Sequence, residues 1–501
     1  MISYYSSILI RTALTMMIKN IEFSNFRNLR GKYDFDNILN VIIGKNNSGK
    51  TNLLDGIRFA FSTITNDYFK INQSDFYNSD DSLNIQIKVE LRGESIPSLD
   101  FYDLDEQSNQ QRRCGFIVTV KKTQSGKYVK DITLLNGSNI DFETLREDPN
   151  IPNVFYVPLL RIDEIYTNGL VTGISKFIES EEKYQELKED SKNKIKAVIK
   201  DKVDVFKAFC KKFNQDLDIA LTEPKISDEK VFIVEEGQKE HNYKIGSGYR
   251  SIANIILNTL NDNYNIILID EIENHLHPSL IRTIVRELQL MKNTQIVATS
   301  HSPIIINELK LEEIVDINYK KLVLTEDNFK KLNIFMHPGR SEIMLADNVI
   351  LVEGYTEELL LRQYLRSVNY NWNVVNVAGV MFEPYIELAK YLHKNIVVVS
   401  DDDKALSDTL QCSSRFTNLE QYCKSNNVCL IEVENTLETD LYNNGYLADC
   451  TDLLMHHEKH NELLIAKKNC KIEIAERIIE KKIDLSDWHV IKGIINEFES
   501  H

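Results

Sequence analysis

None of the seven cysteines in this 501-residue chain stands in a close pair, so neither a zinc site nor a disulfide framework is indicated, and a reducing, cytoplasmic setting is expected. Internal repeats, low-complexity tracts and apolar runs long enough to span a bilayer are missing as well. The nearest approach to such a run, Ile8 to Leu14, is short, is broken by Arg11 and has no clear cleavage motif, so no membrane partner is expected. Met16 and Met17 immediately precede the first strand-like pattern, and residues 1 to 15 read as a loosely ordered upstream extension. Basic charge is also scarce. With 59 Lys and Arg against 75 Asp and Glu the net charge is −16, which argues against a generally basic nucleic-acid binder and leaves only local basic segments for that purpose. Candidates are Lys121, Lys122, Lys127 and Lys130 around a Gln-Ser-Gly hairpin, and the stretch from Lys183 to Lys212. A solvated surface is the commoner meaning of such charges.

The length suffices for two or three hydrophobic cores, and the motifs divide between them. Gly44-Lys45-Asn46-Asn47-Ser48-Gly49-Lys50-Thr51 follows the apolar run Leu39 to Ile43 and precedes a helical pattern from Asn52 to Phe61. Strand, glycine-bounded loop and helix N-terminus form a phosphate-binding loop in its proper context. Backbone N–H groups of Asn46 to Lys50 can wrap a β-phosphate, Lys50 supplies a point charge to the β/γ oxygens, and the Thr51 hydroxyl suits Mg²⁺. ATP is the expected ligand.

Ile266 to Ile269 is a short apolar run ending in Asp270 and Glu271, the pattern of a buried parallel strand whose end faces the nucleotide. Asp270 would hold the metal, and Glu271 would polarise the attacking water. Gln295 to Ser300 reads as another buried strand, ending in His301. A lone histidine there is more often a packing or capping residue, and only its company suggests a γ-phosphate role.

In the last third, Asn348 to Val352 is a strand running into Glu353-Gly354, with Glu357 on the following helix. Ile396 to Ser400 is a second one, running into Asp401-Asp402-Asp403. Parallel strands bring their C-terminal acids to one edge of the sheet, where ligands of α/β folds bind. Four or five carboxylates cannot stay ionised together there without cations, so Mg²⁺ or Mn²⁺ is expected.

The order of phosphate loop, Gly246-Ser247-Gly248-Tyr249-Arg250, Asp270-Glu271 strand and His301 strand resembles the ATP-binding-cassette ATPases of the SMC and recombination-repair type. That resemblance implies that Ser247 and Gly248 of one subunit cap the γ-phosphate held by another, hence a homo-oligomer, a dimer or higher. It implies a subunit-contact loop at Glu273 to Pro278, a nucleotide contact for Arg27, and a helical dimerisation insertion at about 160–222. The glutamine this family sets between its halves is left open between Gln73 and Gln86. Glu353-Gly354-x-x-Glu357 with Asp401-x-Asp403 resembles the Toprim domain of topoisomerases, primases and certain nucleases. Joined through Ser341 to Asp347, the two halves together resemble the overcoming-lysogenization-defect (OLD) family, which includes Gabija-type and retron-associated defence nucleases.

The expected fold is therefore α/β: a short extension over 1–16, an ABC/SMC-type ATPase domain over 17–340, and a Toprim, Rossmann-like nuclease domain over 341–501. The OLD resemblance implies Glu353, Glu357, Asp401, Asp403 and Glu438 as metal ligands, with Glu353 also a possible base. It implies Lys471 as the residue that neutralises transition-state charge, Lys467 and Lys468 being near rivals. Asp402 extends the acidic run behind the ligands. The implied activity is metal-dependent DNA cleavage governed by ATP, with DNA as substrate and a helicase or a retron reverse transcriptase with its DNA as possible defence partner. A non-cleaving, ATP-gated clamp or scaffold is the rival reading; it has no chemical reason to keep the full acid set.

Overall fold

The structure, a computed structural model, describes residues 16–64, 69–104, 110–140, 145, 148, 150–157, 192–212, 217–221, 231–235, 247–261, 264–318, 320–321, 324–336, 338–368, 370, 372–379, 381–404, 412–458, 464–467 and 470–499. The chain forms two compact units, residues 1–321 and 322–501. Among the described residues no helix is long and apolar enough to cross a membrane.

The first unit runs β1 (Met17–Phe26), β2 (Leu29–Asp34), β3 (Leu39–Ile43), α1 (Lys50–Ser62), β4 (Ile85–Arg92), β5 (Asp100–Leu104), β6 (Gln110–Lys122), β7 (Tyr128–Leu134) and β8 (Val154–Val157). It continues through α2 (Lys192–Lys211), β9 (Leu217–Leu221), β10 (Val231–Glu235), α3 (Ser247–Thr259), β11 (Ile266–Ile269), α4 (Pro278–Gln289), β12 (Gln295–Ser300), α5 (Pro303–Glu308), β13 (Ile314–Asp316) and β14 (Lys320–Lys321).

Two strand patterns give two sheets. In β4 buried and half-buried residues alternate, the period-two signature of a strand with one face on the core. It lies between β1 and β6 in an antiparallel sheet ordered β2-β1-β4-β6-β5, with β7 also on β6. By contrast β3, β11 and β12 are buried at every residue, as strands covered on both faces must be. They lie in the second sheet, ordered β14-β13-β3-β12-β11-β8, in which all neighbours but β14 run parallel. The strand carrying the phosphate loop is thus separated by β12 from the one that ends at Asp270.

The helical reading of residues 160–222 needs correction. Helix α2 covers Lys192–Lys211, with Phe206, Phe209 and Cys210 buried, but 217–221 is β9, paired antiparallel with β10. Alternation of Leu217, Ile219 and Leu221 with Asp218 and Ala220 is a strand period and overrides the helical context. Residues 158–191, including Lys183, and the upstream extension 1–15 lie outside the described residues. Three lysines of the β6–β7 hairpin are engaged within the unit: Lys121 pairs with Asp131 in the sheet, while Lys122 pairs with Asp81 and Lys130 donates to the Phe69 carbonyl, both in the segment before β4.

The second unit runs α6 (Glu326–Phe335), α7 (Pro338–Ser341), β15 (Asn348–Val352), α8 (Tyr355–Val368), β16 (Asn373–Asn376), α9 (Phe382–Tyr391), β17 (Asn395–Asp401), α10 (Ser414–Asn426), β18 (Cys429–Val433), α11 (Leu437–Asn443), β19 (Leu454–His456), β20 (Leu464–Ala466), α12 (Lys471–Glu480) and α13 (His489–Glu499). Its boundary falls ahead of the expected 340 because α6 belongs to it: Thr325 and Asn328 both donate to the carboxylate of Glu387 on α9. The sheet is wholly parallel, ordered β16-β15-β17-β18. After β15 the chain adds β16 on one side and then β17 on the other, so the ends of β15 and β17 flank a topological switch point, where crevices of α/β sheets form.

One buried side chain ties the two sheets of the first unit together. Gln295 on β12 accepts the Ile18 N–H through Oε1 at 2.8 Å and donates Nε2 to the Ile18 carbonyl at 2.9 Å, beside the register shift in the β1–β4 pairing. Gln295→Leu keeps the bulk and orphans both backbone groups. Unmet buried groups cost about 1–3 kcal/mol each, so denaturant unfolding should report a loss of roughly 2–4 kcal/mol; an unchanged midpoint would show the bridge to be dispensable.

Candidate active sites

In the first unit the phosphate loop joins β3 to α1. Gly49, at φ 107°, occupies left-handed backbone, and a Cβ there would stand 2.7 Å from Asn28 Nδ2, so this position requires glycine. Asn47 also adopts positive φ, as does Gly44. Lys50 donates Nζ to the Gly44 carbonyl at 2.8 Å and to the Lys45 carbonyl at 2.7 Å, which curls the loop around its ammonium. Burial lowers the Lys50 pKa against the upward pull of Glu271, Glu273 and Asp270. Ser48 gives its carbonyl to Asn28 Nδ2 at 3.0 Å, and Asn28 also accepts from Asn52 on α1. Asn28 thus braces the loop from the β1–β2 turn.

The strand ends bring the remaining groups to this loop. Thr51 Oγ1 lies 3.2 and 3.1 Å from the two carboxylate oxygens of Asp270, which unites the pair expected to share a metal. Thr299, buried on β12, donates Oγ1 to Asp270 at 2.7 Å and accepts the Glu271 N–H at 2.7 Å. Glu271 itself has φ 47°, a left-handed conformation that costs a non-glycine residue about 1–3 kcal/mol and is retained where the surroundings over-determine it. His301 follows β12, with Nδ1 3.2 Å from Glu273.

Arg27 is not brought to the loop. Its guanidinium donates to Asp55 at 2.6 Å, Asp75 at 2.9 Å and Asn52 at 2.8 Å, joining the end of β1 to α1. Ser247 and Gly248 begin α3, and a Cβ on Gly248 would lie 2.6 Å from the His275 carbonyl, so the helix start and the 273–278 loop meet at van der Waals range. Of the two open glutamines, Gln73 bonds the Ser79 carbonyl, and Gln86 is a β4 residue opposite Ser24.

In the second unit five carboxylates gather at the C-terminal edge of the parallel sheet. Glu353, just past β15, accepts from Ser400 Oγ and, at 3.3 Å, from the Asp401 N–H. Arg415, in the first turn of α10, donates to Glu353 at 2.7 Å, to Asp403 at 3.1 Å and to the Asp401 carbonyl at 3.3 Å. Glu438 lies in the first turn of α11, almost fully buried, with Lys471 Nζ at 3.4 Å. Lys467, its rival, bonds the Asp452 carbonyl instead; Lys468 lies outside the described residues. Burial first, then Glu357, Glu353, Glu438 and Asp403, hold the Asp401 carboxyl well above its ordinary range. Glu357 is likewise raised by burial and by Glu353 and Glu438. Desolvation pulls the Lys471 ammonium down, but Glu438, Glu357 and Asp401 outweigh it and raise its pKa.

Among the described residues no three such side chains converge as a ready-made metal-holding group; Arg415 and Lys471 hold the ion-pair positions. The donor chemistry nevertheless fits a hard divalent cation: oxygen ligands only, mutually repelling carboxylates, and three of them, Glu357, Asp401 and Asp403, pushed toward protonation by burial and by neighbouring carboxylates. Glu353 and Asp403, both paired with Arg415, would exchange that partner for such an ion. Asp402 points elsewhere: fully buried, it accepts the backbone N–H of Lys404 and of Asn435 at 2.8 and 2.9 Å.

Sequence reading missed Asn28, Thr299, Ser400 and Arg415. A hydroxyl at the next-to-last position of a buried strand is a usable signal for Thr299 and Ser400; nothing local marks Arg415. Thr299→Val removes the donor to Asp270 and the acceptor for Glu271. Lost support behind a ligand typically weakens metal affinity or activity by roughly 10–100-fold, so phosphate release should fall by that order, partly recovering at high Mg²⁺, while ATP binding persists. At the acidic edge the folded-state pKa values of Asp401 and Glu357 lie above those of the unfolded chain. The metal-free protein should therefore lose stability as pH rises from the ordinary carboxylate range toward the raised values, and Mn²⁺ affinity, followed by electron paramagnetic resonance, should climb over the same span as protons leave. Affinity independent of pH there would contradict this electrostatic account.

Comparison with known proteins agrees with both halves. Residues 39–307 match the family described as AAA domain, putative AbiEii toxin, Type IV TA system, and residues 344–403 match the Overcoming lysogenization defect protein-like TOPRIM domain. Endonuclease GajA of Bacillus cereus strain VD045 is 24% identical over 450 residues, covering 77% of this chain and 75% of that protein. The GajA of strain HuB5-5 is 22% identical, covering 93% and 86%. The Retron Vc95 probable ATPase of Vibrio cholerae is 29% identical over 150 residues, covering 27% and 29%. Among solved structures, an SMC head bound to the C-terminal winged-helix domain of ScpA aligns loosely, with a TM-score of 0.41, 13% identity, and coverage of 58% of this chain and 92% of that one. Since the first match spans more than half of the residues, the chain belongs to this AAA-domain ATPase family, and its residues 344–403 carry an OLD-like Toprim domain.

Proposed function

We infer that the chain is an ATPase coupled to a metal-dependent endonuclease acting in defence, with DNA as its substrate and Mg²⁺ or Mn²⁺ as its metal. The observation that carries this is the acidic edge at the β15–β17 switch point, where Glu353, Glu357, Asp401, Asp403 and Glu438 share one field. A scaffold or clamp gains nothing from such mutually repelling, partly buried carboxylates, whereas a phosphodiesterase needs them to hold cations beside a scissile phosphate.

Bound divalent cations supply a low-pKa water and charge stabilisation of the leaving oxygen. The chain's own part is positional. Glu353, Asp401 and Asp403 are ligands set by two adjacent strand ends, and Glu353, fixed by Ser400, also stands ready to take a proton from the attacking water. Glu357 and Glu438 complete the ligand set from the first turns of α8 and α11. Lys471, beside Glu438, meets the charge that develops on the phosphate. In the ATPase half Lys50 and the loop N–H groups would hold the phosphates, Thr51 and Asp270 would hold the metal, Glu271 would orient the attacking water and His301 would meet the γ-phosphate.

Assembly into a homodimer or higher oligomer follows if Ser247 and Gly248 cap the nucleotide of a second copy; a nucleotide contact by Arg27 would require it to give up Asp55, Asp75 and Asn52. A cytoplasmic setting suits cysteines that form no disulfide, and a helicase or a retron reverse transcriptase with its DNA is the kind of defence partner that the OLD resemblance implies. By their motifs the ATPase domain is proposed over 17–340 and the nuclease domain over 341–501, with the Glu326–Phe335 helix packing on the nuclease side.

The deciding experiment measures nicking of supercoiled plasmid and phosphate release on the same preparations. Asp401→Ala removes a ligand worth several kcal/mol of transition-state charge stabilisation, so cleavage should drop by about a thousandfold or more while ATP hydrolysis persists. Lys50→Ala should abolish ATP binding, and Glu271→Gln should keep binding but slow turnover. Undiminished cleavage by Asp401→Ala would sink the nuclease assignment of this edge.

A further inference from the structure

Glu273 lies two residues beyond Glu271 in the loop that resembles a subunit contact, yet its side chain turns inward. Its Oε1 accepts the His301 N–H at 2.7 Å and the Ser300 hydroxyl at 3.1 Å, and stands 3.2 Å from His301 Nδ1. Only a tenth of the side chain is exposed, and Oε2 is buried without a hydrogen-bond partner. Leaving a carboxylate oxygen buried and unmet is costly, so the position answers to something other than stability. The same carboxylate acts electrostatically on Lys50, so it lies within range of the phosphate loop without belonging to it.

An imidazole whose Nδ1 faces a carboxylate keeps its proton on that nitrogen and directs Nε2 the other way. His301 is nearly half exposed, so the freed Nε2 is the ring atom that a phosphate can reach. Because Oε1 also takes the His301 backbone N–H at 2.7 Å, one atom holds the main chain at the end of β12 and stands against the ring nitrogen.

We propose that Glu273 is the positioning residue of the ATPase site, fixing the tautomer and orientation with which His301 meets the γ-phosphate end of ATP. This rests on the assignment of His301 to the γ-phosphate. Glu273 itself does not touch the nucleotide, and with its carboxylate engaged inside the subunit it is not a contact to a second copy.

The test compares ATP turnover, KM for ATP and thermal stability in the wild type, Glu273→Ala, Glu273→Gln, His301→Ala and the Glu273→Ala/His301→Ala double variant of the full chain. Glu273→Ala should lower kcat by roughly 10–100-fold with KM for ATP little changed. Glu273→Gln, whose amide oxygen can accept the His301 backbone N–H and face the ring Nδ1 in the same place, should restore turnover to within about threefold of wild type. The double variant should be no slower than His301→Ala alone, because two residues acting through one group do not add. If Glu273→Ala does not fold, Glu273→Leu, which keeps the bulk and removes only the acceptor, takes its place. Wild-type turnover in His301→Ala overturns the histidine assignment and leaves Glu273 nothing to position. A slow His301→Ala beside a fast Glu273→Ala, or losses that multiply in the double variant, overturns the inference on Glu273 alone.

Discussion

Negative charge brought to the C-terminal edge of a buried parallel sheet is the constraint on which both halves of this chain depend. Strands buried on both faces, such as β3, β11, β12 and the centre of β15 and β17, are driven together by apolar burial at about 25 cal/mol per Å². The same packing forces their terminal acids into a common, poorly hydrated rim. Each rim must then supply its own counter-charge. In the ATPase half Lys50 does so from within the loop, and in the Toprim half Arg415 and Lys471 bracket the carboxylates from α10 and α12. Both arrangements leave anionic oxygens that only a cation fully satisfies, which is why phosphate chemistry with divalent metals suits each of them.

The two rims also share a way of fixing an acid. On β12 the hydroxyl of Thr299 holds Asp270 from the adjacent strand, and on β17 the hydroxyl of Ser400 holds Glu353 from its neighbour. Both hydroxyls are buried. A small donor near the end of a central strand can reach sideways to the next strand's terminal carboxylate while a backbone N–H completes the link, Glu271 to Thr299 in one case and Asp401 to Glu353 in the other. Strand spacing of about 4.8 Å makes that reach natural for Ser and Thr and too short for longer donors without buckling. The consequence for chemistry is rigidity: the acid keeps one orientation before any ligand arrives.

What was legible in the sequence follows from this geometry. The phosphate loop, the Asp270-Glu271 strand, the two acid-tipped Toprim strands and the alternating β4 were readable because each is a local pattern whose meaning needs no distant partner. The 217–221 segment was misread as helix because five residues of alternation were outweighed by the charged helical stretch before them. Asn28, Gln295 and Arg415 were illegible for a different reason. Each acts across a large sequence separation, Gln295 on Ile18, Asn28 on Ser48 and Arg415 on Glu353, and nothing in its own neighbourhood distinguishes it from a surface polar residue. Arg27 shows the limit of reading by resemblance: the motif locates it beside the loop, but Asp55 and Asp75 claim its guanidinium here.

The run Asp401-Asp402-Asp403 shows why spacing, more than acidity, carries information. At the end of an extended strand alternate residues face the same side, so Asp401 and Asp403 both turn to Glu353 and Arg415, Asp403 with the help of a left-handed backbone at φ 53°. Asp402 faces away and is fully buried. There it draws in the N–H groups of Lys404 and Asn435, while its own N–H and that of Asp403 bond the carbonyls of Val433 and Asn435. These bonds lace the end of β17 to the segment that leads directly into α11, and α11 carries Glu438. The helix is held at its far side by Asp440, which accepts from Trp488 at 2.6 Å and lies 2.8 Å from His489 Nε2. Glu438 therefore reaches the acidic edge because two acids that do not face that edge, Asp402 before it and Asp440 after it, fix the short helix on which it rides.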